Sequence, residues 1–403
     1  MGQPEGSRSV YCLKKFESLD HSSAPTSRFD LAVVGAGILG LAHALAAAKA
    51  GKSVVVIDRD ARAVGASIRN FGFVTITGQR QGDTWRRARR SRDVWVEVAQ
   101  QAGIPIEQRG LTMLARRPES RAVLEAFMKT EMAADCALYS QAEAQRRWPE
   151  FASAPLTGAL WSPHEVRVES RTAIPRLAAW LAEALGVCFV RSAAVQNVSL
   201  PRIQTSRGVI LADTCVVCPG DDLTSLYPEA IAARNVTLCK LQMLRLASPE
   251  RALPTVLMSD LGLVRYHGYA DLPEASALRT RLSAEQPSHL QNGIHLIVVQ
   301  SADGSLVVGD SHHYDQTHEP FAEQSVEDLI LDEFRAATGF DAPPVLERWT
   351  GVYASADQDM FRETPEPGVR LVMVTSGTGA STAFAIAEET IADLFGSSQD
   401  VAA

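Results

Sequence analysis

"FDLAVVGAGILGLAHALAAAKAGKSVVVIDRD", Phe29 to Asp60, holds three patterns in succession. "LAVVG" is a short, fully apolar run, as a central parallel strand buried on both faces requires. Gly35-x-Gly37-x-x-Gly40 follows at once, and a run of small residues from Leu41 to Ala50 reads as a helix. Gly51 and Lys52 stop that helix, and "SVVVID" gives a second strand ending at Asp58. Each glycine then has a task. Gly35 permits the tight turn, Gly37 lets a diphosphate approach the backbone, and Gly40 lets helix and strand pack closely. Ala36 and Ile38 complete the turn, and the helix N-terminus offers unpaired N–H donors and a positive dipole end to an anion. Asp58, 18 residues beyond Gly40, is placed with Arg59 beside it to accept hydrogen bonds from an adenosine ribose. The stretch predicts an α/β, Rossmann-like unit that binds a dinucleotide. NAD and FAD both carry ADP, so the motif alone does not choose between them.

Working outward, the chain has 403 residues, 46% hydrophobic and 21% charged, which predicts two domains or one elaborated α/β unit. A net charge of −8 argues against general nucleic-acid binding. The basic exception is "RQGDTWRRARRSRDVW", with six arginines from Arg80 to Arg92. Trp85, Ala88, Trp95 and Val98 fall on one helical stripe there, which leaves the arginines on a solvated face. No run approaches the ~20 apolar residues of a membrane span. Residues 1–28 lack the continuous apolar core of a signal peptide and read as a flexible N-terminal extension, so the expected compartment is the cytoplasm. Six cysteines in so long a chain do not make a disulfide framework. Cys215 and Cys218 form a CxxC within "GVILADTCVVCPG", but a strand turns positions three apart to opposite faces. No second CxxC completes a metal site, so buried strand thiols are expected and a dithiol redox pair is the alternative.

Three further segments, taken with the first, resemble the D-amino-acid oxidase, glycine oxidase and sarcosine oxidase family of FAD enzymes. "GASIRNFGFV", Gly65 to Val74, is similar to the small-residue turn under the flavin. "VRVESRTAIPRLAAWLAEALGVCFVRSAAVQNV" followed by "ADTCVVCPGDD" is similar to the helix and strands leading to the adenine. "LVMVTSGTGASTAFAIAEETIADLF", Leu371 to Phe395, resembles the C-terminal strand, turn and helix over the ribityl chain. Residues 29 to 395 are thus spanned by segments in the family's order. The resemblance implies FAD held by Gly35, Ala36, Gly37, Ile38, Gly40, Asp58, Arg59, Ala66, Ser67, Arg69, Asn70, Gly72, Val195, Gly220, Gly377, Thr378, Gly379, Ala380 and Ser381. Residues 29–95, 155–235 and 345–396 would form a discontinuous FAD-binding domain. Residues 96–154 and 236–344 would form an α+β substrate domain with an antiparallel sheet. In the latter, "VTLCKLQMLRLA", "GIHLIVVQ" and "SLVVGDS" are β-type runs, and "SVEDLILDEFRAAT" is helical.

Family members that act on amino acids hold the carboxylate with basic side chains, because a guanidinium binds it bidentately. Here the sequence departs. Thr378 stands where a His is common, Ser381 where sarcosine oxidases place a Lys, and Tyr353 near the family's Gly-x-Arg-Pro arginine. Gly351 falls about where a flavin-linked Cys occurs, which implies non-covalent FAD. Val307 stands near an oxygen-activating Lys, which leaves the acceptor as oxygen or another oxidant. "SIRNFGFV", "GDSHHY" and "RWTGVY" look like a branch of the family associated with aminophosphonate breakdown. That resemblance implies 2-aminoethylphosphonate or its N-methyl derivative as substrate, with Arg69, His312, Tyr314 and Tyr353 as candidates to bind or act on it. Tyr266, His267, Tyr269 and His313 are further candidates for the substrate pocket, though on a strand such residues ordinarily satisfy the sheet. His312, His313 and His318 do not predict a metal, since adjacent strand residues point apart. The implied reaction removes a hydride from the carbon beside nitrogen to flavin N5, and the imine hydrolyses to an aldehyde. Glycine, sarcosine or D-amino-acid oxidation and a flavin-bearing electron-transfer subunit are the alternatives.

Overall fold

Residues 28–149 and 155–396 are described by the structure, a computed structural model; the expected N-terminal extension lies outside them except for its last residue. Five parallel strands form the base, in the spatial order Cys188–Val190, Val54–Ile57, Phe29–Val34, Gly208–Val217 and Val369–Ser376. Their centre is made of Val, Ala, Leu and Ile side chains with no solvent contact, as a sheet covered on both faces demands. The first helix, Ile38–Lys49, begins three residues before its sequence-predicted start at Leu41, because Gly37 in extended conformation caps it and its carbonyl receives the Leu41 N–H. That helix is buried on most sides, packed against the C-terminal helix Gly379–Phe395 and against Ser170–Leu185. Alanine is the residue that permits such close approach while favouring the helix.

The arginine-rich stretch forms helix Asp83–Gln101, with Trp85, Ala88, Trp95 and Val98 buried as the stripe requires. Its basic face is only partly given to solvent. Arg87 binds Glu389 through two nitrogens, and Arg90 binds Glu388 in the same way. These pairs, with the Trp95 indole N–H donated to the Ala380 carbonyl at 2.8 Å, fasten the helix to the start and middle of the C-terminal helix.

A second, mixed sheet rises above the base. Its order is Ala137–Ser140, Gly158–Arg167, Gln108–Ala115, Val256–Met258, Ile297–Gln300, Leu306–Gly309, Thr237–Leu246 and Val345–Glu363. All neighbours are antiparallel except Gln108–Ala115 with Val256–Met258. Residues 155–235 were assigned by sequence to the nucleotide side, yet strand Gly158–Arg167 pairs with this second sheet. Likewise the first half of Val345–Glu363 pairs here and only its second half joins the base. In Val345–Glu363 the chain crosses between layers inside one strand, where composition does not change. No helix among the described residues is long and apolar enough to cross a membrane.

Behind the second sheet lies a buried charge cluster. Asp260 accepts from Arg116 at 3.0 Å, Arg117 at 2.9 Å and Ser120 at 2.7 Å, and Arg116 also pairs with Glu333 on helix Gln324–Thr338. Burial pushes the Asp260 carboxyl up, but Arg116, Arg117 and Ser120 outweigh it and hold it below the usual carboxylate range. Removing one partner of such a cluster strands the others. Asp260→Ala is expected to cost about 3–5 kcal/mol, read as a lower urea midpoint. Because the folded pKa is depressed, the cluster's contribution is present above the ordinary carboxylate range and fades as pH falls through the folded value. An Asp260→Ala variant as acid-sensitive as the parent would contradict this.

Candidate active site

The C-terminal ends of the parallel strands open onto a cavity of about 750 Å³, the position where open α/β sheets bind ligands. Two helices direct their N-termini at it. Gly37, Ile38 and Gly40 belong to one, and Gly377, Thr378, Gly379, Ala380 and Ser381 to the other. Neither helix is capped by its own N-cap side chain. The Ser67 hydroxyl accepts the Ile38 N–H at 2.9 Å and the Thr378 carbonyl accepts the Ser381 N–H, and the remaining first-turn N–H groups can face an anion. Gly35 takes φ +100°, and a Cβ placed on Gly40 would lie 1.9 Å from the Gly35 carbonyl oxygen. That contact sets how closely helix and strand cross. Asp58 accepts the Ala36 N–H at 2.6 Å on one oxygen and the Asp60 N–H at 2.8 Å on the other. Each carboxylate oxygen has a second lone pair, which leaves room for ribose hydroxyls. The cradle therefore fits an ADP-containing cofactor.

Of the residues singled out in the sequence, Ala66, Ser67, Arg69, Asn70 and Gly220 also reach the cavity wall. Asn70 spends its amide locally, donating to the Ala66 carbonyl and accepting from the Gly72 N–H and the Ser170 hydroxyl. Gly35, Ala36 and Gly72 lie beneath the wall as turn supports, and half-buried Asp58 lies beyond the cavity lining, at the ribose position of the cradle. Arg59 is paired with Asp222 at 2.7 Å. Val195 is not brought to the cavity: it opens a strand of a separate small antiparallel sheet with Arg202–Thr205. The backbone two residues earlier, at Ala193, is what bonds the Asp58 carbonyl. Cys215 and Cys218 are buried free thiols. Burial pushes Cys215 up to about 12 and Cys218 higher still, so neither supplies the thiolate that dithiol chemistry needs.

The other end of the cavity is walled by residues of the second sheet. Arg69, Tyr266, His312, Tyr314 and Tyr353 meet at the wall, and exposed His267 sits at its rim, paired with Asp271. Tyr269 and His313 do not join them. "VRYHGYAD" forms a helical turn, His267–Ala270, which packs Tyr269 on Phe127 in the core with ring centroids 4.7 Å apart. His313 turns away to Asn292, and His318 to the Leu238 carbonyl. Val307 is buried within the second sheet.

Three wall residues escaped the sequence reading. Arg265 donates to the Tyr314 hydroxyl at 3.0 Å and has no carboxylate partner among the described residues. Burial works against its charge, but the surrounding Tyr353, Tyr314 and Asp310 more than offset it. His295 and Asp310 join His312 in a buried group, with His295 Nδ1 3.1 Å and His312 Nε2 3.7 Å from Asp310 oxygens. The available signals were slight: an arginine beside Tyr266, one histidine breaking the apolar run "GIHLIVVQ", and an aspartate ending "LVVGD". Burial keeps the phenols of Tyr266 and Tyr353 protonated well above the usual range, so both are hydrogen-bond donors at neutral pH.

The close Gly40 contact generates a direct test. Gly40→Ala must push the helix off the strand at a cost of about 1–3 kcal/mol, and FAD retention, measured as flavin absorbance per protein, is expected to fall about 5- to 150-fold. Parent-like retention would show that the helix–strand crossing does not set the cradle.

Solved structures of similar shape include glycine oxidase from Bacillus cereus, 15% identical, covering 92% of this chain and 95% of that one with a TM-score of 0.74. L-proline dehydrogenase from P. horikoshii is 17% identical and covers 92% of this chain and 94% of its own, TM-score 0.74. L-alpha-glycerophosphate oxidase from Mycoplasma pneumoniae, solved with FAD bound, is 16% identical with 91% and 95% covered, TM-score 0.71. At these identities the likeness is one of fold. Among curated proteins none matches. The family model described as DAO, FAD dependent oxidoreductase, spans residues 30–394, nearly all of the described chain, and the protein belongs to that family of FAD-dependent enzymes.

Proposed function

We propose that the enzyme oxidises the C–N bond of a small amine carrying an anionic group, with 2-aminoethylphosphonate or its N-methyl derivative as substrate. The observation that supports this most is Arg265, a charged guanidinium on the cavity wall whose bonded neighbour is the Tyr314 hydroxyl rather than a carboxylate. A half-buried charge with no carboxylate partner among the described residues is costly unless a ligand completes it. Phosphonate oxygens accept several charge-assisted bonds, and Arg265, Tyr314 and Tyr353 offer donors of that kind. Arg69 reaches the same cavity from the turn under the flavin position.

FAD supplies the ring that takes the hydride. The chain's part is to hold the cofactor by Gly37, Ile38, Gly40, Ser67 and the 377–381 turn, and to place the substrate carbon against it. Phe71, Leu241, Ile297 and Met373 make the apolar wall that limits water around the reacting bond. Gly351 on that wall has no side chain to form a thioether, which supports non-covalent FAD; acid denaturation should release it all into the supernatant. The imine product is hydrolysed to an aldehyde, and the electrons pass to oxygen or another acceptor.

An anaerobic panel of amines separates the readings by loss of flavin absorbance. Aminophosphonates should bleach the flavin where glycine, sarcosine and D-alanine at equal concentration do not. The reverse pattern would assign an amino-acid substrate, and bleaching by no amine would indicate an electron-transfer subunit. Arg265→Met should raise KM about 30- to 1,000-fold, the equivalent of about 2–4 kcal/mol for losing a charged partner that the ligand buries. An unchanged KM would remove Arg265 from the anion site.

A further inference from the structure

The group His295, Asp310 and His312 has a construction of its own. His295 and Asp310 face each other just past the paired strands Ile297–Gln300 and Leu306–Gly309, joined by two backbone hydrogen bonds. All three side chains are at most 6% exposed, yet all three reach the cavity wall. The His312 Nδ1 lies 2.8 Å from the Gly293 carbonyl, so Nδ1 carries the proton and Nε2 turns its lone pair toward Asp310. The Tyr266 hydroxyl meets His295 Nε2 at 3.2 Å. His295 Nδ1 and Asp310 Oδ1 have no aligned hydrogen-bond partner. Two imidazoles and a carboxyl whose nitrogen and oxygen atoms lie within 4.8 Å of one another must share a positive charge to avoid facing lone pair against lone pair. Either a proton or a cation can do this, and the nearby Arg265 opposes a doubly charged ion far more than a shared proton.

We propose that Asp310, flanked by His295 and His312, is the base that takes the proton from the substrate ammonium, while the substrate's anionic end rests at Arg265. This rests on the cavity being an amine-oxidation site. The step is a proton transfer with no change of oxidation state: R–NH3+ and the Asp310 carboxylate become R–NH2 and the carboxylic acid. The nitrogen lone pair so freed is the one that forms the C=N bond when the carbon loses hydride. An ammonium has no such lone pair, so a site that binds zwitterions needs an acceptor at their positive end. Asp310 is a catalytic residue in this sense, and His295 and His312 position it.

The charged and titratable groups facing Asp310 are His295, His312, Arg265, Tyr266 and Cys239. Burial pushes the Asp310 carboxyl up to about 8, with Arg265 and its own backbone N–H pulling the other way. Burial, then Arg265, holds both histidines well below their ordinary range. Below that carboxyl value the acid form predominates and cannot accept a proton. Flavin reduction should therefore rise with pH through it. An anion bound at Arg265 cancels part of the downward pull and makes Asp310 a stronger base when substrate is present.

The test is anaerobic flavin reduction against pH in the FAD-loaded parent and in Asp310→Asn, with 2-aminoethylphosphonate as probe. Asp310→Asn should lose the pH limb and slow reduction about 100-fold near neutrality. Its rate should then climb about tenfold per pH unit toward the pKa of the free amine, because solution now removes the proton. A variant with the parent's rate and profile overturns the assignment. So does one that keeps FAD but stays slow at every pH, which marks a purely structural residue. If Asp310→Asn fails to hold FAD, His312→Ala serves instead: water admitted beside the carboxyl should move the limb to lower pH, and an unmoved limb overturns the assignment. Without flavin, the parent's infrared spectrum should lose a protonated-carboxyl band between neutral and alkaline pH, and a spectrum lacking that change is contrary evidence. Stoichiometric Zn2+ or Mn2+ binding that requires Asp310 would make the cluster a cation site and overturn the proposal. If no amine reduces the parent's flavin, it is the reading of the site as amine-oxidising that fails.

Discussion

Strand Val345–Glu363 is hydrogen-bonded through its first half to Thr237–Leu246 in the upper sheet and through its second half to Val369–Ser376 in the base. Between the halves the register shifts, from Ser355 opposite Ser376 to Met360 opposite Val374. The extra residues bend the strand, as a bulge does, and Ala356, Asp357 and Asp359 among them line the cavity. Asp359 is held by the Thr84 hydroxyl at 2.6 Å and by Arg80 at 3.3 Å. One covalent ribbon thus fixes the height of the roof above the floor. It also carries Gly351 and Tyr353 into the cavity and packs the Tyr353 ring 3.0 Å from where a Gly377 side chain would begin. Every distance between a cofactor cradled at 377–381 and a substrate held by the upper sheet depends on that ribbon.

The cavity is electrically divided. Its floor presents N–H groups at two helix ends, suited to diphosphate. Its roof sets a guanidinium with no carboxylate partner among the described residues near a carboxyl that two neutral imidazoles enclose. Such an arrangement is expensive in an empty protein, since a buried carboxyl without an ion pair keeps its proton and a lone guanidinium keeps its desolvation cost. A ligand with a negative and a positive end relieves both. On the proposed reading this is a demand on substrate charge distribution more than on size, with Arg265, just before Tyr266, as the anchor for the anion where position 353 carries Tyr.

Much of the floor was legible in the sequence because its residues obey local rules. The glycines at 35, 37 and 40 sit beside the strands and helix they serve, so spacing indicates their place. The Ser67–Asn70 turn is indicated by the family resemblance, and the 377–381 turn by that resemblance together with its setting between an apolar strand and a helix. The roof was legible only in part. His312, Tyr314 and Tyr353 could be named as polar residues on β-type runs, but the partners that give them meaning come from distant segments. His295 and Asp310 are 15 residues apart in the chain and meet only because two strands pair. Arg265 carries no local signal of its own beside Tyr266, and its place on the wall follows only from the fold. Tyr269 was misplaced for a local reason: a helical turn replaced the strand, and its hydroxyl ended in the core. The expected boundaries at 155 and 345 put strands Gly158–Arg167 and Val345–Glu363 with the base, though the first and the leading half of the second pair upward, which no change of composition announces. Val195 shows the same limit from the other side, since its strand turns out to a satellite sheet while the chain just before it stays with Asp58.

The most direct measurement is a crystal structure of the FAD complex with a non-oxidisable aminophosphonate, one whose carbon beside nitrogen carries no hydrogen. The phosphonate is expected on Arg265 and the Tyr314 hydroxyl, with the nitrogen within hydrogen-bond distance of an Asp310 oxygen and the substituted carbon facing the flavin. Density that puts the phosphonate elsewhere, or leaves the nitrogen remote from both Asp310 and the flavin ring, would contradict the charge division on which the proposed chemistry stands.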